Sequence, residues 1–130
     1  MTRLAYVDAS AIVKLVVDEV GSPGMIRWYV ESERVASSRI GIIEARRAAA
    51  RRPHDPAHLV QVLAGFEILE VDARVMELAS TVGPPGLRTL DAIHLASASD
   101  LIPEIDAFVT YDDRLAAAAR ALGLPVVLPV

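Results

Sequence analysis

Leu4-Ala5-Tyr6-Val7-Asp8-Ala9-Ser10-Ala11-Ile12-Val13 changes character at its midpoint. Its first half is a short apolar run, partly aromatic and β-branched, of the kind that forms a strand buried on both faces of a parallel sheet. Its second half reads as helix, and a carboxylate, Asp8, sits at the join. In open α/β sheets ligands bind beyond the C-terminal ends of the strands. Asp8 therefore stands at the edge where chemistry is expected.

The 130 residues suit one domain, 1–130, large enough to bury a core without disulfides or a structural metal. Hydrophobic residues make up 53% of the chain, well outside the disordered range. No apolar run approaches the roughly 18 residues that would span a bilayer. Met1-Thr2-Arg3 leads straight into the first strand with no small-residue cleavage site, which predicts a cytoplasmic protein without a signal peptide. Cysteine is absent, and with it any thiolate nucleophile or zinc–thiolate site. The net charge of −4 argues against holding nucleic acid by bulk electrostatics. The basic residues are nevertheless unevenly placed. All but Lys14 of the 13 are arginine, and Arg39, Arg46, Arg47, Arg51 and Arg52 crowd one segment. Guanidinium forks suit phosphates, and a solvated helix face is the other reading of that cluster.

The remaining chain alternates strand and helix. Arg3–Val7 is strand one, followed by a helix over Asp8–Val17 and, after Gly21, a second helix capped by Ser22 with Pro23 at N1. Val35 and Ala36 form a very short strand two. Ser37 or Ser38 caps a helix over 39–52 that Pro53 stops, and a further helix covers Pro56–Ala64. Phe66–Val71 is strand three, and Asp72 caps a helix to Val82. Gly83-Pro84-Pro85-Gly86 is a loop no helix passes. Thr89 caps a helix to Asp100, Ala107–Thr110 is strand four, Asp112 opens a helix to Leu122, and Val126–Leu128 is strand five. Short apolar strands always separated by helices predict a three-layer α/β fold, a parallel sheet with helices on both faces.

Four carboxylates stand out. Asp8 and Asp112 each follow a strand, and each has a local explanation as an N-cap. Asp113 has another, as a complement to the helix dipole. Asp91 shares a helix face with Leu87, Leu95 and Ala98. Burying a carboxylate in such a stripe costs several kcal/mol unless it is paired or ligates a cation. The helix dipole returns only about 0.3–1 kcal/mol. Glu44 lies between Ile40 and Ala48, and an ion pair with Arg47 or Arg51, worth only roughly 0.3–0.5 kcal/mol, is its local explanation. If strands one and four are neighbours, Asp8 and Asp112 converge on one sheet edge. Gathered carboxylates raise one another's pKa, and a hard dication, Mg²⁺ or Mn²⁺, resolves the repulsion through oxygen ligation. Such a cluster points to phosphoryl-type chemistry.

The same residues resemble the motifs of PIN-domain proteins. Tyr6-Val7-Asp8-Ala9-Ser10-Ala11 is similar to the family's opening, and Ser38 leading to Glu44 is similar to its second acid motif. Leu90-Asp91-Ala92-Ile93-His94-Leu95-Ala96-Ser97-Ala98 resembles the third, and Phe108-Val109-Thr110-Tyr111-Asp112-Asp113-Arg114-Leu115 the fourth. The likeness runs in order along nearly the whole chain, and at this length it is nearest to the VapC toxins of prokaryotic type II toxin–antitoxin pairs. It implies a five-stranded parallel sheet in the order 3-2-1-4-5. It also implies an Mg²⁺- or Mn²⁺-dependent endoribonuclease, a cognate antitoxin partner and a homodimer. Carried over by position, the catalytic, metal-binding acids are Asp8, Glu44, Asp91 and Asp112. Ser10 and Thr110 are supporting hydroxyls, and Asp113 ranks behind Asp112 because the pattern is Thr-x-Asp. Arg39, Arg46 and Arg88 are expected to steer the RNA backbone. Val13, Val16, Val17, Val20, Met25, Trp28 and Tyr29 are expected to be mostly core, with part of that surface forming a groove for an antitoxin helix. His94, three residues after Asp91, is expected to be a packed or surface histidine although it can reach the site.

Three other readings compete. A haloacid dehalogenase-like phosphatase also begins with an Asp after strand one, but needs a second Asp where Ser10 stands. A receiver domain needs paired acids at the first strand end and a late lysine, and Lys14 is the only lysine. A catalytically inactive PIN-fold module binding RNA or protein has no reason to keep four such acids.

Overall fold

Five strands and seven helices make up the computed structural model, which describes residues 3–130. The reading of Met1 and Thr2 as a start without a signal peptide lies outside these residues. In chain order the elements are β1 (Ala5–Val7), α1 (Ala9–Val16), α2 (Ser22–Glu31), β2 (Val35–Ser38), α3 (Arg39–Ala50) and α4 (Pro56–Ala64). β3 (Phe66–Leu69), α5 (Ala73–Ala79), α6 (Thr89–Ser99), β4 (Ala107–Val109), α7 (Asp113–Ala121) and β5 (Val126–Val127) complete them. The sheet order is β3-β2-β1-β4-β5 with every pairing parallel, which is the expected topology. β1 is central, and β4 is its neighbour on the side away from β2.

Alternation along β1 assigns its side chains to the two layers. Ala5 and Val7 pack with α1, α3, α4 and Met25 of α2, whereas Tyr6 packs with Leu95 and Ala98 of α6 and Leu115 of α7. All three β1 residues are fully buried, which is why the strand shows no polar alternation. Tyr6 stacks on its register partner Phe108, with ring centroids 5.4 Å apart and planes 9° apart. Val13, Val16, Val17 and Met25 are buried, Trp28 and Tyr29 pack at the edge of the same core, and Val20 is exposed.

Several boundaries differ from the sequence reading. β1 starts at Ala5 because the Asp106 carboxylate takes the N–H groups of Arg3 and Leu4, at 2.9 and 3.0 Å. β2 runs on to Ser38 because Ser37 and Ser38 pair with Ile68 and Leu69. β3 ends at Leu69, β4 at Val109 and β5 at Val127, each earlier than expected. Gly21, at φ 94°, takes the N-cap position of α2. Ser22 lies inside the helix instead, where its hydroxyl donates to Val17 O at 2.9 Å and accepts from Glu19 N–H at 3.0 Å. At α6 the N-cap position belongs to Arg88, and Thr89 is the first helical residue. Lys14 serves the structure: its ammonium reaches Glu19 at 2.9 Å and lies 4.6 Å from the centre of the Tyr111 ring.

Ser38 couples the sheet to α3. It ends β2, is fully buried, and its Oγ accepts from Gly41 N–H at 3.0 Å as the N-cap. Ser38→Ala should lower unfolding free energy by about 1–2 kcal/mol, the cost of a lost hydroxyl cap, read as a lower urea midpoint with unchanged m-value.

Candidate active site

Asp8 is the first residue past β1, and its N–H still donates to Val109 O of β4 at 3.1 Å. The ladder thus delivers the carboxylate to the point where both strands end. Three donors meet it there. Ser10 Oγ donates to Oδ1 at 2.7 Å and Ala11 N–H to the same oxygen at 3.0 Å, while Thr110 Oγ1 donates to Oδ2 at 2.6 Å. Ser10 Oγ also accepts Tyr111 N–H at 2.9 Å, tying the two strand ends together. Asp8 is therefore both the N-cap of α1 and an acid held from both sides. It is only 3% exposed, and burial pushes its carboxyl above the ordinary range against the opposing effects of His94, Thr110, Ser10 and the Ala11 amide.

Asp112 arrives from β4 in the same manner. Its N–H donates to Thr110 Oγ1 at 3.0 Å, and its Oδ1 caps α7 through Leu115 N–H at 3.0 Å. Asp91, in the first turn of α6, is buried, and Glu44 comes from the second turn of α3. Arg88 spans two of the acids, with Nε 3.3 Å from Asp91 Oδ2 and Nη2 3.3 Å from Asp112 Oδ2. Glu44 makes no ion pair with Arg47 or Arg51 among the described residues. Its Oε1 instead takes a hydrogen bond from His94 Nε2 at 2.7 Å, which corrects the intrahelical explanation. The pairing across helices wins because the imidazole is buried and rigidly placed, whereas Arg47 and Arg51 are solvated.

All four acids line one cleft of about 300 Å³, together with Ser10, Arg88 and His94. Asp113, exposed in the first turn of α7, does not line it. Thr110 lies fully buried beneath, reaching the site through Asp8 and the Asp112 amide. An adjoining hollow of about 360 Å³ shares Ser10, Glu44 and Leu90 with the cleft and adds Arg47 and Arg51. Of the arginines expected to steer a ligand, Arg88 lines the cleft. Arg39 is paired with Glu70 on the surface, and neither it nor Arg46 lines either hollow. His94 is the residue that sequence reasoning undervalued. It is packed as expected, at 3% exposure, and it also faces the cleft.

The donor set suits a hard dication. It is all oxygen, it is rich in carboxylate, and Asp8 is a buried acid that a second positive charge would hold ionised. Among the described residues no three His, Cys, Asp or Glu side chains stand at the spacing of a finished metal centre. Arg88 occupies the position between Asp91 and Asp112. Nor does the cleft hold the second acid that a phosphatase of the haloacid dehalogenase type needs, since Ser10 there is a hydroxyl bonded to Asp8.

Comparison with known proteins agrees with this architecture. A model of the PIN domain matches residues 5–121. The chain is 37% identical to Ribonuclease VapC47 of Mycobacterium tuberculosis over 97% of both chains. It is 40% identical to Ribonuclease VapC46 of the same organism, over 95% of this chain and 96% of the relative. The crystal structure of VapC20 of M. tuberculosis, a Sarcin-Ricin loop cleaving toxin, superposes with a TM-score of 0.69 at 19% identity. That match covers 88% of this chain and 94% of VapC20, and it supports the fold.

Burial of Asp8 fixes the sign of a stability effect. A carboxyl whose pKa is raised on folding binds its proton more tightly in the native state, so stability falls as pH rises through the interval between the two pKa values and stays lower above it. Asp8→Asn keeps a good N-cap and removes that penalty. Its melting temperature should exceed the parent's at neutral pH, with the gap closing as pH falls into the ordinary carboxylate range, as followed by circular dichroism in chelator.

Proposed function

The chain belongs to the PIN-domain family, among the VapC ribonucleases, and from that premise we propose that it is a metal-dependent endoribonuclease, the toxin of a type II toxin–antitoxin pair. The observation that carries the reading is the convergence of Asp8, Glu44, Asp91 and Asp112, from four separate stretches of chain, on one cleft. In this reading Asp8, Asp91 and Asp112, with Glu44 beside them, would hold Mg²⁺ or Mn²⁺. When bound, the dication supplies a more acidic water and shields the charge of the scissile phosphate.

The chain's own groups then have separate tasks. Ser10 and Thr110 hold the two Asp8 oxygens in place. Glu44 orients the attacking water and accepts its proton, since it is the acid of the four that is neither an N-cap nor bridged by Arg88. Arg88 lies at the cleft mouth with its side chain 62% exposed, where its fork can meet phosphate. Arg47 and Arg51 extend that cationic path into the adjoining hollow. In-line attack leaves 3′-hydroxyl and 5′-phosphate ends. Family membership supports a cytoplasmic setting, a homodimer and an antitoxin helix seated on the apolar surface around α1 and α2. No helix of the described residues is long and apolar enough to cross a membrane.

The test is cleavage of a structured RNA by purified protein with Mg²⁺, with Mn²⁺ and with chelator, followed by end mapping. Cleavage should require the dication, leave 5′-phosphates, and fall in Asp8→Asn and Glu44→Gln beyond the roughly 10–100-fold that outer-shell changes cost. Full cleavage in chelator, or by well-folded Asp8→Asn, would remove the assignment.

The placement of the arginines orders their variants. Arg88→Ala and Arg47→Ala should weaken RNA binding and flatten its salt dependence more than Arg39→Ala, which lines neither hollow. Each lost phosphate contact should lower the slope of log K against log salt by about 0.7 for a single strand.

A further inference from the structure

We propose that His94 is a positioning residue that fixes Glu44 over the cleft and is itself set by Tyr6. This rests on the ribonuclease reading above and assigns to two buried side chains a part in it.

A directed chain of hydrogen bonds carries the argument. Ser38 N–H donates to the Tyr6 hydroxyl at 3.3 Å, and that hydroxyl is 2.6 Å from His94 Nδ1. His94 Nε2 is 2.7 Å from Glu44 Oε1. Tyr6 is fully buried, so its proton needs an acceptor. The phenol oxygen already accepts from Ser38, and the bond to Nδ1 is the one that takes the phenol hydrogen. The network therefore assigns the imidazole hydrogen to Nε2, facing the carboxylate. Glu44 Oε1 is thereby engaged, and Oε2 is the oxygen left for the cleft.

The surrounding packing is built to admit this contact. Gly41 lies one turn before Glu44 on the same face of α3. A Cβ there would stand 3.0 Å from His94 Cε1 and 2.5 Å from Ser37 Oγ. The absent side chain is the clearance through which the ring passes to reach Glu44. Tyr6 is held in turn by its stack on Phe108 and by an edge-on contact with the His94 ring, centroids 5.7 Å apart. The central strand thus sets the tyrosine, the tyrosine sets the ring, and the ring sets the acid. A histidine serving only to fill the core would need neither the tautomer nor the carboxylate.

Four variants and a spectrum test the assignment. His94→Leu fills the space without a donor and should lower kcat by about 10–100-fold with KM little changed. His94→Gln, whose amide can stand in for Nε2–H, should recover most of that loss. Tyr6→Phe should lower kcat in the parent but not further in His94→Gln, whose donor needs no tautomer. In ¹⁵N-edited spectra of the parent, His94 should carry its hydrogen on Nε2, with a bonded proton resonance that Glu44→Gln shifts upfield. Spectra with the hydrogen on Nδ1, or unmoved by Glu44→Gln, overturn the proposal even if a variant fails to fold. So does a folded His94→Leu that cleaves like the parent while Glu44→Gln does not. If Glu44→Gln itself cleaves normally, the four-acid reading fails instead.

Discussion

A carboxylate held almost out of water at the end of the central strand is the constraint around which this molecule is built. A charge in that position is costly unless nearly every lone pair has a partner. Asp8 has them: two hydroxyls and an amide, drawn from its own helix and from the strand beside it. The requirement explains features that otherwise look unrelated. β1 and β4 must be neighbours, or Thr110 could not reach Asp8. α1 must begin at once, or the Ala11 amide would be elsewhere. Ser10 must be a hydroxyl, because it donates to Asp8 and accepts from Tyr111 in one position.

The other two contributors reach the cleft by a different route. α3 leaves directly from β2 and α6 comes from the opposite layer, so the two helices meet only above the strand ends. Their meeting point is polar, and one chain of groups there is satisfied in sequence, from Ser38 through Tyr6 and His94 to Glu44. Satisfied networks of this kind fix geometry more tightly than apolar contact does. The acids on the strands are positioned by the ladder, and those on the helices by side chains.

This division also explains what the sequence disclosed. Asp8 and Asp112 were legible because each directly follows a buried apolar strand, a local signal. Asp91 was legible because a carboxylate among Leu87, Leu95 and Ala98 conflicts with its own helix face. Glu44 carried a local alternative in Arg47 and Arg51, and nothing nearby in the chain could decide between them. His94 was undervalued for the same reason. Its partners are 88 and 50 residues away, one of them a tyrosine that reads as plain core. Caps failed where a hydroxyl had a better use: Ser22 ties down the turn after α1, and Gly21 takes the left-handed position beside it. The arginines were a question of helix phase. Arg47 and Arg51 follow Glu44 by three and seven residues and share its side, whereas Arg46, two residues on, turns away.

Phase matters because the chain as a whole is acidic, at −4. A polyanion approaching it is repelled at long range, and ionic strength confines that repulsion to about 8–10 Å. Within such a distance local charge decides the outcome. Arg88 at the cleft mouth and Arg47 and Arg51 in the adjoining hollow form a short cationic track ending at the acids. Arg34, Arg39, Arg52 and Arg74, which line neither hollow, are each in an ion pair with an acid. The track beside Glu44 leads to the cleft. Positioning at one point is what catalysis draws on, since uniform binding along a substrate does not raise kcat.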